Sequence, residues 1–366
     1  LGIAAIVVEG RASEGDYSML TIDKDGKTEL VDATAYVGMR TYACTEQLLT
    51  AYGKKTSVMC IGTAGEFKMA SASIQASDVD GRPCRAAGRG GMGAVMGAKG
   101  LKALVVSTEG DSADAIADPQ AFKEDAKGVV KAVKAHPMSG HMMPELGTPG
   151  LVAPVNAMGA FPSYNARKGV LEGWEKISGE AMAEMMERRG GKKRHMGCAQ
   201  CIVHCSNEFV DEQGGYVTSS LEYETIWAMG GMTGVADLDI IAALDRKCDD
   251  IGVDTMNTGV AVAVALDSGH GEFGDGEKVL AMVEEIGVGT ELGRILGNGP
   301  AAVGKHFDNP RVPAVKNQSI AAYDPRAMQG NGVTYATSPM GADHTAGNAV
   351  GLYLQQKLDP LSADGQ

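Results

Sequence analysis

The sequence Arg85-Ala-Ala-Gly-Arg-Gly-Gly-Met-Gly-Ala-Val-Met-Gly-Ala-Lys-Gly-Leu-Lys-Ala103 places six glycines within 19 residues. Residues 88–93 have the spacing GxGxxG, which is typical of dinucleotide-binding loops. Such a loop follows a buried strand and begins a long helix, whereas we expect Gly97 and Gly100 to interrupt any helix here. The context therefore argues against a nucleotide-binding domain of that kind.

The same glycine stretch suits a ligand that carries phosphate groups. Glycine amides can approach a ligand closely because no side chain intervenes. Arg85, Arg89 and Lys99 would add positive charge beside those amides. The stretch therefore predicts a site for an anionic ligand, with a glycine-rich structural turn as the alternative.

The composition is that of an acidic globular protein. The chain has 366 residues, 44% of them hydrophobic, a formal net charge of −13 and a pI near 5.0. This length allows two or three domains, and the charge argues against nucleic acid or an anionic membrane surface as the main partner. No apolar run approaches the roughly 20 residues of a membrane span. Because the first residues lack a basic signal-peptide region and the cysteine usage suits a reducing compartment, we expect a cytoplasmic protein.

Short apolar runs between Gly and Asp turns predict a β-rich first domain, residues 1–110. The predicted strands are residues 3–8, 17–22, 56–61 and 101–106. Only residues 44–52 have a helical pattern in this part of the chain. Because the chain begins on a strand pattern without Met, we expect further structure upstream.

From Asp118 onward, apolar residues recur at helical spacing and predict a second, α-helical domain, residues 111–307. Its first helix begins near Pro119 and continues through Val133. Residues 137–164 are rich in Gly, Pro, Met and Asn, and a connection of this length is a candidate functional segment. A third part begins near residue 308. Further helices are predicted at residues 179–189, 221–229, 238–251, 257–267 and 277–286.

Three cysteines, Cys198, Cys201 and Cys205, form a CxxCxxxC run, while the other four are scattered singly. Three thiolates within eight residues can converge on one metal, and soft sulfur ligands select zinc or an iron–sulfur cluster. Zinc would need His195 or His204 as a fourth ligand, and the sequence has no second paired-ligand motif at zinc-finger spacing. The run favours an iron–sulfur cluster, with zinc or structural thiols as alternatives.

Acidic side chains end one predicted helix, in Asp249-Asp-Ile-Gly-Val-Asp254. Gly252 suits the left-handed position after a helix. Carboxylates at a helix C-terminus oppose the helix dipole, so stability alone does not explain them. They would accept hydrogen bonds from a heterocycle rich in N–H groups, and a solvated helix end is the alternative interpretation.

Two further positions are candidate acid–base groups. One is Glu222-Tyr-Glu224, and the other is His344 within Met340-Gly-Ala-Asp-His-Thr-Ala-Gly-Asn348. Taken alone, each is also compatible with a surface position or a satisfied polar contact.

Five motifs, in this order along the chain, resemble the aldehyde:ferredoxin oxidoreductase family of tungsten enzymes. They are the glycine stretch, the CxxCxxxC run, Glu222-Tyr-Glu-Thr225, Asp249-x-x-Gly-Val-Asp254 and Tyr323-Asp-Pro-Arg326. The resemblance implies an α+β fold, in which a β-rich N-terminal domain forms the base for two pterin cofactors. Two largely α-helical domains would follow, residues 111–307 and an incomplete one at residues 308–366.

The resemblance also implies the cofactors and the residues that hold them. Tungsten or molybdenum would be bound by the dithiolenes of two pterins, with a [4Fe–4S] cluster bound by Cys198, Cys201 and Cys205 close by. The family's fourth cluster cysteine comes from a downstream motif that this chain does not contain, so we expect the working protein to be longer. The pterin phosphates and their Mg²⁺ would lie against Arg85, Ala86, Gly88, Arg89 and Gly90, and a pterin ring against Asp249, Gly252, Val253 and Asp254.

The implied reaction is oxidation of an aldehyde to a carboxylic acid. Glu224 would activate water and His344 would donate a hydrogen bond to the reacting oxygen. Electrons would pass to ferredoxin or an iron–sulfur subunit, and we expect a homo- or hetero-oligomer. Three alternatives remain: a bis-pterin reductase of an aromatic coenzyme A thioester or a carboxylic acid, a non-catalytic electron-transfer or assembly subunit, and a zinc-stabilised binding protein.

Overall fold

The N-terminal part of the chain forms a mixed six-stranded sheet in the computed structural model, which describes residues 3, 5–109, 116–192, 197–219 and 221–354. The strands are β1 Ser18–Ile22, β2 Thr28–Asp32, β3 Thr56–Cys60, β4 Ile74–Ala76, β5 Arg85–Ala87 and β6 Leu101–Ser107. Along the sheet they have the order β2-β1-β6-β3-β4-β5. Strand β6 is parallel to β1, and the other neighbouring pairs are antiparallel.

Three helices accompany this sheet: α1 Thr41–Tyr52, α2 Thr63–Glu66 and α3 Met92–Lys99. Leu48 of α1, Val58 of β3 and Val105 of β6 are buried in one hydrophobic core of this domain. Strands β1, β3 and β6 and helix α1 confirm four of the sequence predictions. The predicted strand at residues 3–8 is wrong for the residues described there, because none of them is in a strand and Ile3 and Val7 are exposed.

Helix α3 also contradicts the sequence expectation, because Gly97 lies inside it rather than ending it. The helix begins after Gly91 and ends before Gly100, both in the left-handed conformation. A Cβ at Gly97 would overlap the Gly65 carbonyl oxygen, and one at Gly93 would overlap the Ser73 carbonyl oxygen. The glycines therefore let α3 pack directly on backbone, and this tertiary contact outweighs their poor helix propensity.

We expect Gly97→Ala to lower the free energy of unfolding by about 2 kcal/mol or more, since the added methyl group forces α3 away from Gly65. Gly128 provides the control, because a Cβ there meets open space on an exposed helix. We expect Gly128→Ala to raise the free energy of unfolding by up to about 1 kcal/mol. Urea unfolding measures both, and a neutral Gly97→Ala would contradict the close contact.

The rest of the described chain is mainly helical, around a second hydrophobic core. The helix at Thr255–Asp267 lies at its centre, with Val260, Val262 and Val264 fully buried. Two short hairpins interrupt the helices: β7 Glu208–Val210 with β8 Tyr216–Ser219, and β9 Ala314–Val315 with β10 Gln318–Ser319. The helices are α4 Pro119–Ala135, α5 Met143–Leu146, α6 Val152–Ala157, α7 Gly179–Arg188, α8 Tyr223–Ile226, α9 Leu238–Ile251, α10 Thr255–Asp267, α11 Gly276–Val288, α12 Glu291–Gly297, α13 Pro300–His306, α14 Gln329–Thr337 and α15 Val350–Leu354.

A sheet domain followed by a helical region confirms the predicted α+β fold. The predicted helices correspond to α4, α7, α8, α9, α10 and α11, and the bounds of α9 agree at both ends. Segment 137–164 contains short helical pieces, among them a π-helical turn at Met138–Met142. The domain bounds stay predictions. Within the described ranges, no helix is both long and apolar enough to cross a membrane.

The sheet domain is bound to the C-terminal end of α9 by backbone contacts. Thr41 Oγ1 donates to the Asp249 carbonyl oxygen at 2.8 Å, and Ser73 N donates to the Gly252 carbonyl oxygen at 2.9 Å. Asp254 N donates to the Ser71 carbonyl oxygen at 2.9 Å. These bonds place the 249–254 motif directly against the sheet domain.

Candidate functional site

A cavity of about 600 Å³ lies where the glycine stretch meets the helical region. Gly88 and Arg89 line one side, and Glu224 at the start of α8 and Asp254 before α10 line another. The remaining described wall residues are Ala86, Met138, Met143, Thr148, Leu151, Glu222, Tyr223, Thr225, Thr255, Met256, Tyr323, His344, Thr345, Asn348, Val350, Gly351 and Leu354.

Glu224 is held at the cavity wall by the backbone of Ala322. Glu224 Oε2 accepts a hydrogen bond from Ala322 N at 2.9 Å, while Tyr223 OH donates to the Ala322 carbonyl oxygen at 2.7 Å. Glu224 Oε1 is buried and has no hydrogen-bond partner among the residues that the structure describes. Burial raises the pKa of Glu224, and His344 opposes that rise. One carboxylate oxygen is therefore fixed and the other is free to act on a ligand.

His344 lies beside the Glu224 carboxylate, although the two residues are 120 positions apart in the sequence. Its Nε2 lies 3.5 Å from Glu224 Oε1, and its Nδ1 is buried without a hydrogen-bond partner in the described parts of the chain. The Tyr323 ring lies 5.9 Å from the imidazole ring, centroid to centroid. The pair Glu224 and His344 can accept and donate a proton at one point of the cavity.

Arg89 and Asp254 form a buried charge pair at the cavity. Arg89 Nε lies 3.5 Å from Asp254 Oδ2, and neither atom has a hydrogen-bond partner among the described residues. The other Arg89 nitrogens donate to the carbonyl oxygens of Ala342 and Ser319 and to Ser319 Oγ. Asp254 Oδ1 accepts from Met256 N at 2.9 Å and so caps α10. Burial raises the pKa of Asp254, and Arg89 opposes this.

The glycine loop presents an open backbone surface beside this pair. A Cβ on Gly88 would meet only Ala86 Cβ, at 3.9 Å, so the space above it is free. Gly90 has φ +90°, a conformation that side chains rarely adopt. The loop can therefore let a ligand approach its amides.

Asp249, Gly252 and Val253 are buried at the interface with the sheet domain and do not line the cavity. Burial and the neighbouring Asp245 raise the pKa of Asp249 well above its ordinary value. Gly252 is left-handed at φ +78°, and Val253 pairs with Ala72 in an isolated bridge. The structure thus brings Asp254 to the cavity, with the rest of its motif behind it.

Arg85 does not line the cavity either; its Nη1 donates to Ser206 Oγ at 3.0 Å. Ser206 directly follows Cys205, so this bond joins the glycine stretch to the cysteine run.

The cysteine run forms a loop with three free thiols. Cys198 is exposed, while Cys201 and Cys205 are partly buried. Cys201 N donates to the Cys198 carbonyl oxygen at 3.0 Å, and Cys201 Sγ accepts from Val203 N at 3.4 Å. Within the described ranges, no three His, Cys, Asp or Glu side chains are grouped as metal ligands. The assignment of the three cysteines therefore stays a prediction, and His195 lies outside the described residues.

Sequence patterns did not identify the cavity wall formed by segment 137–164. Met138 is the first residue of the π-helical turn and Met143 directly follows the turn, while Thr148 and Leu151 begin and end a 3₁₀ turn. The unusual composition of this segment was the available signal, but it did not indicate which side chains face the cavity.

The residues present fit the implied cofactors. Unpaired buried atoms of Arg89, Asp254, Glu224 and His344, beside an open glycine loop, suit a polar group with hydrogen-bond donors and anionic oxygens. Cys198, Cys201 and Cys205 are free thiols, the ligand type of iron–sulfur clusters, but the described structure does not group them around one point.

Two family models cover most of the chain. The N-terminal domain of aldehyde ferredoxin oxidoreductase matches residues 1–108, and its domains 2 and 3 match residues 124–366. The chain belongs to the aldehyde ferredoxin oxidoreductase family, which confirms the resemblance found in the sequence motifs.

Individual relatives agree with the family. The tungsten-containing aldehyde ferredoxin oxidoreductase of Pyrococcus furiosus is 33% identical over 98% of this chain and 60% of its own length, and that of Thermococcus kodakarensis is 32% identical with the same coverage. The chain therefore spans about 60% of the length of these relatives.

A solved structure supports the fold. It is the active-site complex BamBC of benzoyl coenzyme A reductase with 1,5-dienoyl-CoA, which has a TM-score of 0.70 and 21% identity over 89% of this chain and 52% of that chain.

Proposed function

We propose that this chain carries the catalytic cavity of a tungsten-dependent oxidoreductase that converts an aldehyde to a carboxylic acid, RCHO + H₂O → RCOOH + 2 e⁻ + 2 H⁺. The observation that supports this most is the Glu224 carboxylate, fixed by the Ala322 amide with its second oxygen unpaired beside His344. The tungsten-containing relatives supply the reaction type.

Glu224 acts as the general base in this proposal. Its free oxygen removes a proton from water as the water adds to the aldehyde carbon, and the fixed oxygen holds the carboxylate in position. His344 donates a hydrogen bond from a ring N–H group to the aldehyde oxygen and stabilises the charge that develops there. Both groups face one cavity, so they can act on one substrate.

The cofactor sites follow from the same residues. Ala86, Gly88, Arg89 and Gly90, with Arg85, would hold pterin phosphates and Mg²⁺. Asp254, which lines the cavity, would contact a pterin ring, and Asp249, Gly252 and Val253 would support it from the domain interface. Cys198, Cys201 and Cys205 would hold a [4Fe–4S] cluster. Bound there, the tungsten centre supplies two-electron redox chemistry and the cluster supplies one-electron transfer to ferredoxin or an iron–sulfur subunit.

Elemental analysis together with turnover tests this function. We expect the full-length protein, purified without oxygen from cells supplied with tungstate, to contain tungsten and iron and to reduce ferredoxin with an aldehyde. Iron without tungsten or molybdenum, and no turnover, would instead support an electron-transfer or assembly role. Zinc alone would overturn the cluster assignment.

A further inference from the structure

A second, apolar space adjoins the catalytic cavity. It is a groove of about 520 Å³ that shares Met138, Met143 and Thr148 with the cavity wall. Its other described lining residues are Ala132, Val133, His136, Ser139, Val203 and Cys205. The two spaces are therefore neighbours at the three shared residues.

The two neighbouring spaces differ in chemistry. The cavity holds Glu224, His344, Arg89 and Asp254. The surface that the groove exposes is almost wholly apolar, and none of its described lining residues is Lys, Arg, Asp or Glu. A ligand with one polar end and an apolar remainder matches both parts.

Resting on the proposed function, we propose that the natural substrates are aldehydes with an extended apolar group that passes Met138 and Met143 into the groove. The flexible methionine side chains adapt to such a group, and each buried methylene strengthens binding about fourfold. A coenzyme A thioester fits less well, because its phosphates would find no basic partner among the described groove residues.

Binding of alcohols to the cofactor-loaded protein tests the groove independently of turnover. We expect octan-1-ol to bind at least about tenfold more tightly than butan-1-ol, in ligand-detected NMR titrations, because its additional methylenes are buried. Ala132→Trp fills the groove from the exposed face of α4. This variant should weaken octan-1-ol binding about tenfold and leave butan-1-ol binding nearly unchanged. Lys127→Trp, on the opposite side of the same helix, is the matched control and should change neither.

Two results would overturn the groove assignment. One is equal affinities for the two alcohols in the unmodified protein, and the other is an Ala132→Trp variant whose affinities for both alcohols equal those of Lys127→Trp.

Failure of the proposed function would be a separate result. Chain-length-dependent alcohol binding, lost in Ala132→Trp, would uphold the groove even if the tungsten-loaded protein oxidised neither butanal nor octanal. If both are oxidised, the KM for octanal should be the lower one and should rise only in Ala132→Trp.

Discussion

Glu224→Gln is expected to lower kcat for aldehyde oxidation by about 10²- to 10⁴-fold, because the amide cannot take a proton from water. The glutamine oxygen can still accept the hydrogen bond from Ala322 N, so the backbone around the cavity is preserved. Tungsten, iron and pterin contents should therefore remain those of the unmodified protein. Steady-state kinetics on protein of known metal content measures this effect, and unchanged turnover would remove Glu224 from the mechanism.

The pH profile identifies the role of Glu224 more specifically. Burial raises the pKa of Glu224, and a general base acts only when deprotonated. We therefore expect kcat/KM to fall as the pH falls through this raised pKa, at a higher pH than an exposed glutamate would give. Glu224→Gln should lose this acidic limb. Glu184→Gln is the control, because Glu184 is exposed on α7 and does not line the cavity, and we expect it to retain full activity and the limb.

Cys201→Ser is expected to abolish the iron–sulfur cluster, because a serine hydroxyl is a poor substitute for a thiolate ligand. Iron content, visible absorbance and paramagnetic signals should all be lost, and electron transfer from aldehyde to ferredoxin with them. Spectroscopy of protein purified without oxygen measures the outcome, and iron content equal to that of the unmodified protein would remove Cys201 from the ligand set.

Cys84→Ser provides the comparison for that experiment. Cys84 is buried outside the CxxCxxxC run, and its Sγ donates to Asp78 Oδ2 at 3.4 Å, a bond that a serine hydroxyl can also make. We expect this variant to keep its iron. Loss of iron in both variants would indicate a general effect of cysteine replacement on folding.

The sequence predicted those elements whose periodicity is strong. Helix α9 has an apolar stripe at helical spacing, and β6 is a central, mostly buried strand, so both could be located from pattern alone. Strands β4 and β5 have three residues each, too few to show an alternation. Helix α3 is not predicted from the sequence because its glycines oppose helix formation locally, and the close contacts of Gly97 with Gly65 and of Gly93 with Ser73 reverse that preference.

The site was harder to predict than the fold, because its residues come from distant parts of the chain. Glu224 and His344 were proposed through family motifs, and no local pattern relates one to the other. The Ala322 amide that fixes Glu224 carries no side-chain signal at all. No sequence pattern predicts that Met138, Met143 and Thr148 line the cavity, since their orientation toward it depends on how the π-helical turn packs.

The bonds between the sheet domain and the end of α9 also bear on the order of assembly during synthesis. Thr41 and Asp249 are separated by 208 residues, so the bond between them requires that α9 has left the ribosome. The sheet domain has its own core and can form earlier. Closing so long a loop is slow compared with local folding. We therefore expect the glycine loop and the 249–254 motif to meet only late in synthesis, and the nascent N-terminal domain to lack the proposed pterin site until then.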